Sequence, residues 1–129
     1  MNILDTIIER KRAEVAERKQ LKSLGVLQAD PIYTRNTISL VEGLSRPNAS
    51  GIIAEFKRKS PSKGVINDRV DPVEVTQAYQ ASGASAVSIL TDSHFFGGDD
   101  QDVVQARQVL TIPILRKEFI IDEYQVHEA

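Results

Sequence analysis

Apolar residues near the start of the chain recur every three or four positions. Between about 2 and 20 these residues are Ile3, Leu4, Ile7, Ile8 and Val15, with good helix formers between them. This spacing predicts an amphipathic helix. Such a helix ordinarily lies across a hydrophobic surface, and a membrane-surface or calmodulin-type role is the alternative.

Helix-breaking residues interrupt the next part of the chain. Gly25 and Pro31 fall between 21 and 38, and a short helix is predicted around 39–44, ending near Gly43 and Pro47. We interpret both segments as connecting and packing elements. We therefore expect residues 1–47 to form a helical extension that precedes a different arrangement in residues 48–129.

From residue 48 onward, short apolar runs alternate with helical patterns. Strands are predicted at GIIAEF (51–56), SAVSIL (85–90) and IPILRKEF (112–119), and helices at 71–82, at 99–110 and from 122. Asp71 suits a helix cap, Pro72 suits the first helical position, and Gly83 suits the position after the helix. This order predicts an α/β fold with parallel strands joined by right-handed crossovers.

Composition narrows the function classes. The chain has 129 residues, 41% of them hydrophobic and 26% charged, which is ordinary for a globular domain with one core. A formal net charge of -2 does not favour binding to nucleic acid or to an anionic membrane. Any phosphate must therefore be bound by a local group of positive side chains. No cysteine is present, and His94 and His127 lack metal-ligand spacing, so we expect no metal.

Charges interrupt the apolar positions of the first fifteen residues. This excludes the continuous apolar core of a signal peptide, and no run approaches membrane-spanning length. We therefore expect a cytoplasmic protein.

Charged residues follow the first predicted strand at once, in the segment IIAEFKRKSPSKG (52–64). Side chains two apart on a strand share a face, so Glu55 and Lys57 should project together while Phe56 points the other way. Charges directed inward need partners, because desolvating them is costly. The alternative is a surface strand end whose charges lie in water.

The other two predicted strands end in similar chemistry. Thr91, Asp92 and the loop SHFFGG (93–98) follow the second strand, and the third carries Leu115 and Lys117 on one face. Parallel strands place their carboxyl ends on one side, where α/β proteins bind ligands. Two lysines near the Glu55 carboxylate would hold an anionic substrate and suit proton donation by a lysine.

Aromatic residues lie near the same strand ends. Phe95, Phe96 and Phe119 could form an apolar wall for a planar ring, although buried phenylalanines usually belong to the core.

Three segments carry a resemblance to a known family. IIAEFKRKSPSKG, SILTDSHFFGG and PILRKEFIIDEYQVHEA closely resemble three successive signature segments of the indole-3-glycerol phosphate synthases, and the N-terminal helix resembles that family's extension. The resemblance covers essentially the whole chain. It implies a (β/α)8 TIM barrel that closes the indole ring of 1-(2-carboxyphenylamino)-1-deoxyribulose 5-phosphate, releasing carbon dioxide and water without a metal or organic cofactor.

The resemblance also implies roles for residues that match the family's motifs. Lys117 resembles the general acid, Lys57 the lysine that holds substrate anions, and Glu55 the carboxylate that pairs with these lysines. The expected substrate-binding positions are Ser60 and Pro61 near the anthranilate carboxylate, Phe96 and Phe119 as aromatic walls, and Leu115 in the lining.

A full barrel of this kind takes about 250 residues. The sequence should therefore hold only the helical extension and the first three β/α units, as a fragment of a complete synthase, which argues against full catalysis by this chain alone. The alternatives are a Schiff-base aldolase with Lys117 as nucleophile and a non-enzymatic partial barrel that binds small anions or assembles with a complementary half. The expected partner is a phosphorylated small molecule, with neither nucleic acid nor membrane. Fusion to, or association with, another tryptophan-pathway enzyme stays open.

Overall fold

The computed structural model describes residues 1–129, which form seven α-helices, one 3-10 turn and five strands. The helices are α1 (Ile3–Leu21), α2 (Leu24–Ala29), α3 (Leu40–Ser45), α4 (Pro72–Ala81), α5 (Ser93–Phe96), α6 (Asp100–Val109) and α7 (Glu123–Glu128), and the 3-10 turn is Pro31–Thr34. The strands are β1 (Ile53–Phe56), β2 (Lys59–Ser60), β3 (Gly64–Val65), β4 (Ala86–Leu90) and β5 (Ile114–Lys117). None of the helices is both long and apolar enough to cross a membrane.

The chain divides into two compact units. Residues 1–37 and 119–129 form the first unit, and residues 38–118 form the second. The expected division at residue 47 into an extension and a barrel portion follows different boundaries and stays a prediction.

In the first unit, α1 confirms the helix predicted from the apolar spacing. Its N-terminus carries a capping box, in which Asn2 accepts from the amide of Asp5 at 2.9 Å and Asp5 accepts from the amide of Asn2 at 3.2 Å. These bonds satisfy two amides that no helical turn can reach. Ile7, Lys11 and Val15 are buried at a spacing of four residues along the helix.

The first unit also holds α7, whose start is fixed by side-chain bonds to the backbone. Asp122 accepts from the amide of Tyr124 at 2.8 Å. The fully buried Gln125 accepts from the amides of Ile121 and Asp122 and donates to the carbonyl of Phe119 at 2.8 Å. The helix predicted to begin at Asp122 is thereby confirmed.

The second unit is built on a parallel three-stranded sheet in the order β1-β4-β5. This confirms the predicted parallel arrangement, although β1 and β5 are shorter than the apolar runs suggested. In the register, Glu55 of β1 lies opposite Ser88 of β4, and Ser88 lies opposite Leu115 of β5. Neighbouring residues of β4 point to opposite faces of the sheet, so the side chains of Ser88 and Ile89 lie in different environments.

One face of the sheet packs against α4 and α6 and carries the core. The buried cluster is Phe56, Val87, Ile89, Ala106 and Leu110. Burying this apolar surface supplies the main favourable term for folding of the unit. Ile53 and Leu115 are exposed large hydrophobic residues of the two outer strands.

Two small elements after the strands were not predicted. Lys59–Ser60 and Gly64–Val65 form a short antiparallel hairpin in the charged segment after β1. The SHFFGG segment contains the single-turn helix α5, capped by Asp92 through a 2.8 Å bond to the amide of Phe95 and ended by Gly97 at φ 65°. That φ lies in the left-handed region, which glycine adopts without steric cost.

Candidate active site

A lysine and a carboxylate from the two outer strands meet across the sheet. The Nζ atom of Lys117 lies 2.9 Å from Oε2 of Glu55. The Oγ atom of Ser88, on the middle strand, donates to the same carboxylate oxygen at 3.0 Å. Three strands thus contribute to one hydrogen-bonded group near their carboxyl ends.

The register explains how side chains of β1 and β5 reach each other. Because β4 lies between these strands, a bulky residue opposite Glu55 would separate the two charged groups. Ser88 occupies that position and is small. Lys117 lies opposite Leu90, two residues further along β4, and its long side chain reaches back to Glu55.

Glu55 is also held through its backbone. The hydroxyl of Tyr79, on α4, donates to the carbonyl of Glu55 at 3.0 Å.

The Glu55 side chain is 30% exposed and the Lys117 side chain 52% exposed. A dissolved ligand can therefore reach both groups.

Lys57 occupies a different environment from Lys117. It lies one residue past the end of β1, is half-buried and makes no hydrogen bond or ion pair. The structure therefore pairs Glu55 with Lys117 and not with Lys57. The Lys57 ammonium group remains available for an anion from solution.

The residues after β1 form a turn closed by a serine hydroxyl. Ser60 is buried, accepts from the amide of Lys63 at 3.2 Å and lies 3.3 Å from the hydroxyl of Ser62. Pro61, at the tip, is exposed. The Ser60 hydroxyl is thus used within its own turn.

The remaining expected substrate-binding residues are apolar. Leu115 is exposed on β5 and lies two residues before Lys117 on the same strand face. Phe96 is half-buried at the end of α5. Phe119 belongs to the first unit, where its carbonyl accepts from Gln125. The substrate-binding roles of these residues stay predictions.

Sequence reasoning missed an arginine that ties two of the strand-end loops together. Both terminal nitrogens of Arg58 donate to the Asp102 carboxylate, with Nη2 at 2.9 Å, and Nη1 donates to the carbonyl of Gly97 at 3.2 Å. The hydrogen bonds that Arg58 donates to Asp102 outweigh burial and raise the pKa of Arg58 above its ordinary value. The Arg58 guanidinium also lies 5.0 Å from the centre of the Phe56 ring.

Gly98 brings the loop after β4 against the strand it follows. A Cβ atom at this position would lie 2.1 Å from the carbonyl oxygen of Leu90, so no larger residue fits without movement. The amide of Gly98 donates to the carbonyl of Asp92 at 2.8 Å. This close approach fixes the path of the chain from α5 into α6.

Ser88 and Tyr79 were also missed. The sequence signal for Ser88 was a single hydroxyl residue within the otherwise apolar run AVSIL (86–90). No group of three His, Cys, Asp or Glu residues is placed to hold a metal ion.

Comparison with known proteins confirms the family that three sequence segments resemble. The family model described as indole-3-glycerol phosphate synthase matches residues 4–129. A protein of that name from Bacteroides thetaiotaomicron is 48% identical over 128 residues, covering 99% of this chain and 49% of its own length. Those from Campylobacter hominis and Neisseria meningitidis serogroup C are 43% and 40% identical, covering 98% and 99% of this chain and 50% of their own lengths. The chain therefore spans about half the length of these relatives, and it belongs to the indole-3-glycerol phosphate synthase family.

Proposed function

We propose that this chain contributes the first three strands of an active site that closes an indole ring. The substrate is 1-(2-carboxyphenylamino)-1-deoxyribulose 5-phosphate, and the products are indole-3-glycerol phosphate, carbon dioxide and water. The contact between Lys117 and Glu55 is the main structural support, because it joins an acid and a base from separate strands at the carboxyl end of the sheet.

In this proposal Lys117 is the general acid. When the aromatic carbon that bears the carboxylate attacks the ribulose carbonyl, negative charge develops on the carbonyl oxygen. Lys117 donates a proton to that oxygen, and loss of the carboxylate as carbon dioxide restores the aromatic ring. The resulting hydroxyl group takes a second proton and leaves as water, while the adjacent carbon that bears the nitrogen loses a proton to form the double bond of the indole. Neutralising charge at the step that breaks aromaticity should lower the barrier most.

Glu55 and Lys57 have complementary roles in the same proposal. Glu55 accepts from Lys117 and holds its ammonium group at the strand end. Lys57 has no partner within the chain, which suits binding of the substrate phosphate. Ser60 and Pro61 contact the anthranilate carboxylate in this proposal, and Leu115 and Phe96 line the ring pocket.

The ion pair also argues against a Schiff-base aldolase. A lysine that attacks a carbonyl must first become a neutral amine. Lys117 donates to a carboxylate at 2.9 Å, an arrangement that favours proton donation over nucleophilic attack. The proposed enzyme is accordingly a carbon-carbon lyase of tryptophan biosynthesis, and its chemistry uses neither a metal nor an organic cofactor.

A second candidate is a partial-barrel module that docks a complementary half. The outer strands β1 and β5 each pair with a neighbour on one side only, and Ile53 and Leu115 are exposed. Strand edges and exposed apolar residues of this kind are used to bind further strands. In this case the chain supplies Lys117, Glu55 and Lys57 to a site completed by another polypeptide.

Turnover of the carboxyphenylamino substrate, followed by indole absorbance, tests both candidates. The chain is assayed alone and together with the C-terminal half of the Bacteroides thetaiotaomicron relative. In whichever arm activity appears, Lys117→Met should lower kcat by at least about a thousandfold, since it removes the general acid and the electrostatic partner together. Activity only in the mixture would support the docking module.

Lys22→Met is the matched control, because Lys22 is an exposed lysine whose side chain makes no hydrogen bond or ion pair. It should leave kcat within about twofold, as expected for a surface substitution. Equal losses in the two variants, or full activity in Lys117→Met, would contradict the proposed role of Lys117.

A further inference from the structure

We propose that Ser88 is a positioning residue that orients Glu55 toward Lys117. Its hydroxyl donates to Glu55 Oε2 at 3.0 Å, and Lys117 donates to the same oxygen at 2.9 Å. This inference rests on the proposed function, because it assigns a cause to the alignment of the proposed general acid.

Burial makes the Ser88 bond obligatory. Ser88 is 2% exposed, so water does not compete for its hydroxyl. A buried hydroxyl without a partner is costly, and the Glu55 carboxylate is the acceptor that Ser88 reaches. Hydrogen bonds to charged groups are also stronger than those between neutral groups.

The ion pair by itself would be loosely held. Glu55 is 30% exposed and Lys117 is 52% exposed, and ion pairs at such positions gain little because two flexible side chains must be ordered. Ser88 lies on the middle strand with its backbone fixed by neighbours on both sides. Its short side chain therefore gives Glu55 a rigid donor that restricts the carboxylate to one orientation.

The second carboxylate oxygen has a different environment. Glu55 Oε1 makes no hydrogen bond, while Oε2 accepts two. Ser88 and Lys117 thus fix one oxygen and leave the other free to accept from a ligand. A hydroxyl at position 88 would act on catalysis through Glu55, without touching the substrate.

The test compares Ser88→Val with Ser88→Thr, two side chains of nearly the same shape that differ by a hydroxyl. Valine suits a strand, which favours folding of the variant that lacks the donor. Limiting acetic anhydride labels the lysines of the whole chain, and peptide mass spectrometry gives the rate at Lys117 relative to Lys22. Circular dichroism checks that each variant keeps its helix content.

In Ser88→Val, we expect labelling of Lys117 relative to Lys22 to rise about threefold or more, because Glu55 no longer holds the amine in one place. Ser88→Thr should stay within about 1.5-fold of the unmodified chain, since it keeps the donor. In a Glu55→Gln background, Ser88→Val should add no further change. That result distinguishes action through Glu55 from a general loosening of the strand.

Unchanged labelling in a folded Ser88→Val chain would overturn the positioning role, as would an equal effect of Ser88→Thr. The measurement needs no substrate. Failure of the proposed synthase activity would therefore be seen separately, in the turnover assay. Where turnover is measured, Ser88→Val should lower kcat more than it changes KM, because alignment of a proton donor matters most in the transition state.

Discussion

Residue placement at the candidate site depends on one small side chain between two charged ones. The convergence of Glu55 and Lys117 was predictable, because carboxyl ends of parallel strands share one edge of a sheet. The choice of Lys117 over Lys57 as the partner of Glu55 was not. That choice depends on strand order and on Ser88 lying opposite Glu55, and neither is encoded in local sequence spacing.

A charged pair whose acid is buried should matter more for stability than a pair whose acid is exposed on the same helix. Asp102 is 8% exposed and accepts from Arg58, whereas Asp100 is 62% exposed and accepts from Arg116. Both acids lie in the first turn of α6 and interact similarly with the helix dipole. Asp102→Asn should therefore lower the free energy of unfolding by about 2 kcal/mol, since it weakens a largely buried bidentate pair.

Asp100→Asn is the matched control and should cost less than about 1 kcal/mol, because the Asp100 carboxylate lies largely in water, although Arg116 is only 14% exposed. Urea unfolding followed by circular dichroism measures both variants. Equal losses would indicate that the helix dipole, and not the Arg58 pair, sets the contribution of these acids.

At the scale of elements, the sheet strands and most helices were predicted, including the short helix α3, whereas α2, α5 and the β2–β3 hairpin were not. Helices α1, α4 and α6 were predicted from apolar residues at helical spacing and from capping residues such as Asp71. The β2–β3 hairpin has two residues in each strand, too few to show an alternating pattern. Helix α5 is a single turn whose start and end depend on Asp92 and Gly97, and such a turn carries no helical period.

The start of α7 should be sensitive to acid. Asp122 caps α7, and its carboxylate lies 2.6 Å from Nζ of Lys19. The hydrogen bond from Lys19, followed by that from the Tyr124 amide, lowers the pKa of Asp122 below its ordinary value near 3.8. A lowered pKa means that the folded state binds fewer protons than the unfolded chain. The resulting stability is present above about pH 4 and is lost as pH falls through the folded value.

Lys19→Met removes the largest cause of that lowering. It should therefore reduce the stability that is lost as the pH falls from about 4 through the folded pKa of Asp122. Thermal unfolding at several pH values measures the difference. Lys22→Met removes the same formal charge from an exposed lysine without an ion pair and serves as the reference. If both variants lose stability in acid as steeply as the unmodified chain, the Lys19 bond does not control the cap.

For the whole molecule, family membership and the parallel sheet were both predictable, because three long motifs occur in order and strand-helix alternation specifies the connections. The exposure of individual residues was not predictable from the sequence. Whether Ile53 and Leu115 are covered depends on what lies beside β1 and β5, and no local pattern specifies that. The structure has each of these strands paired on one side only.

Strands paired on one side, together with exposed apolar residues, should drive the chain to self-associate. Sedimentation equilibrium should show an apparent mass that rises above 14.3 kDa with concentration. Leu115→Lys should shift the equilibrium toward monomer by at least about tenfold in dissociation constant, since a charge placed on an edge strand opposes both strand pairing and apolar contact. Val41→Lys is the control, because Val41 is also an exposed apolar residue, at 74% against 39% for Leu115, and lies on α3 outside the sheet. An apparent mass that is independent of concentration, or an equal response to both lysines, would show that the sheet is not the surface through which copies associate.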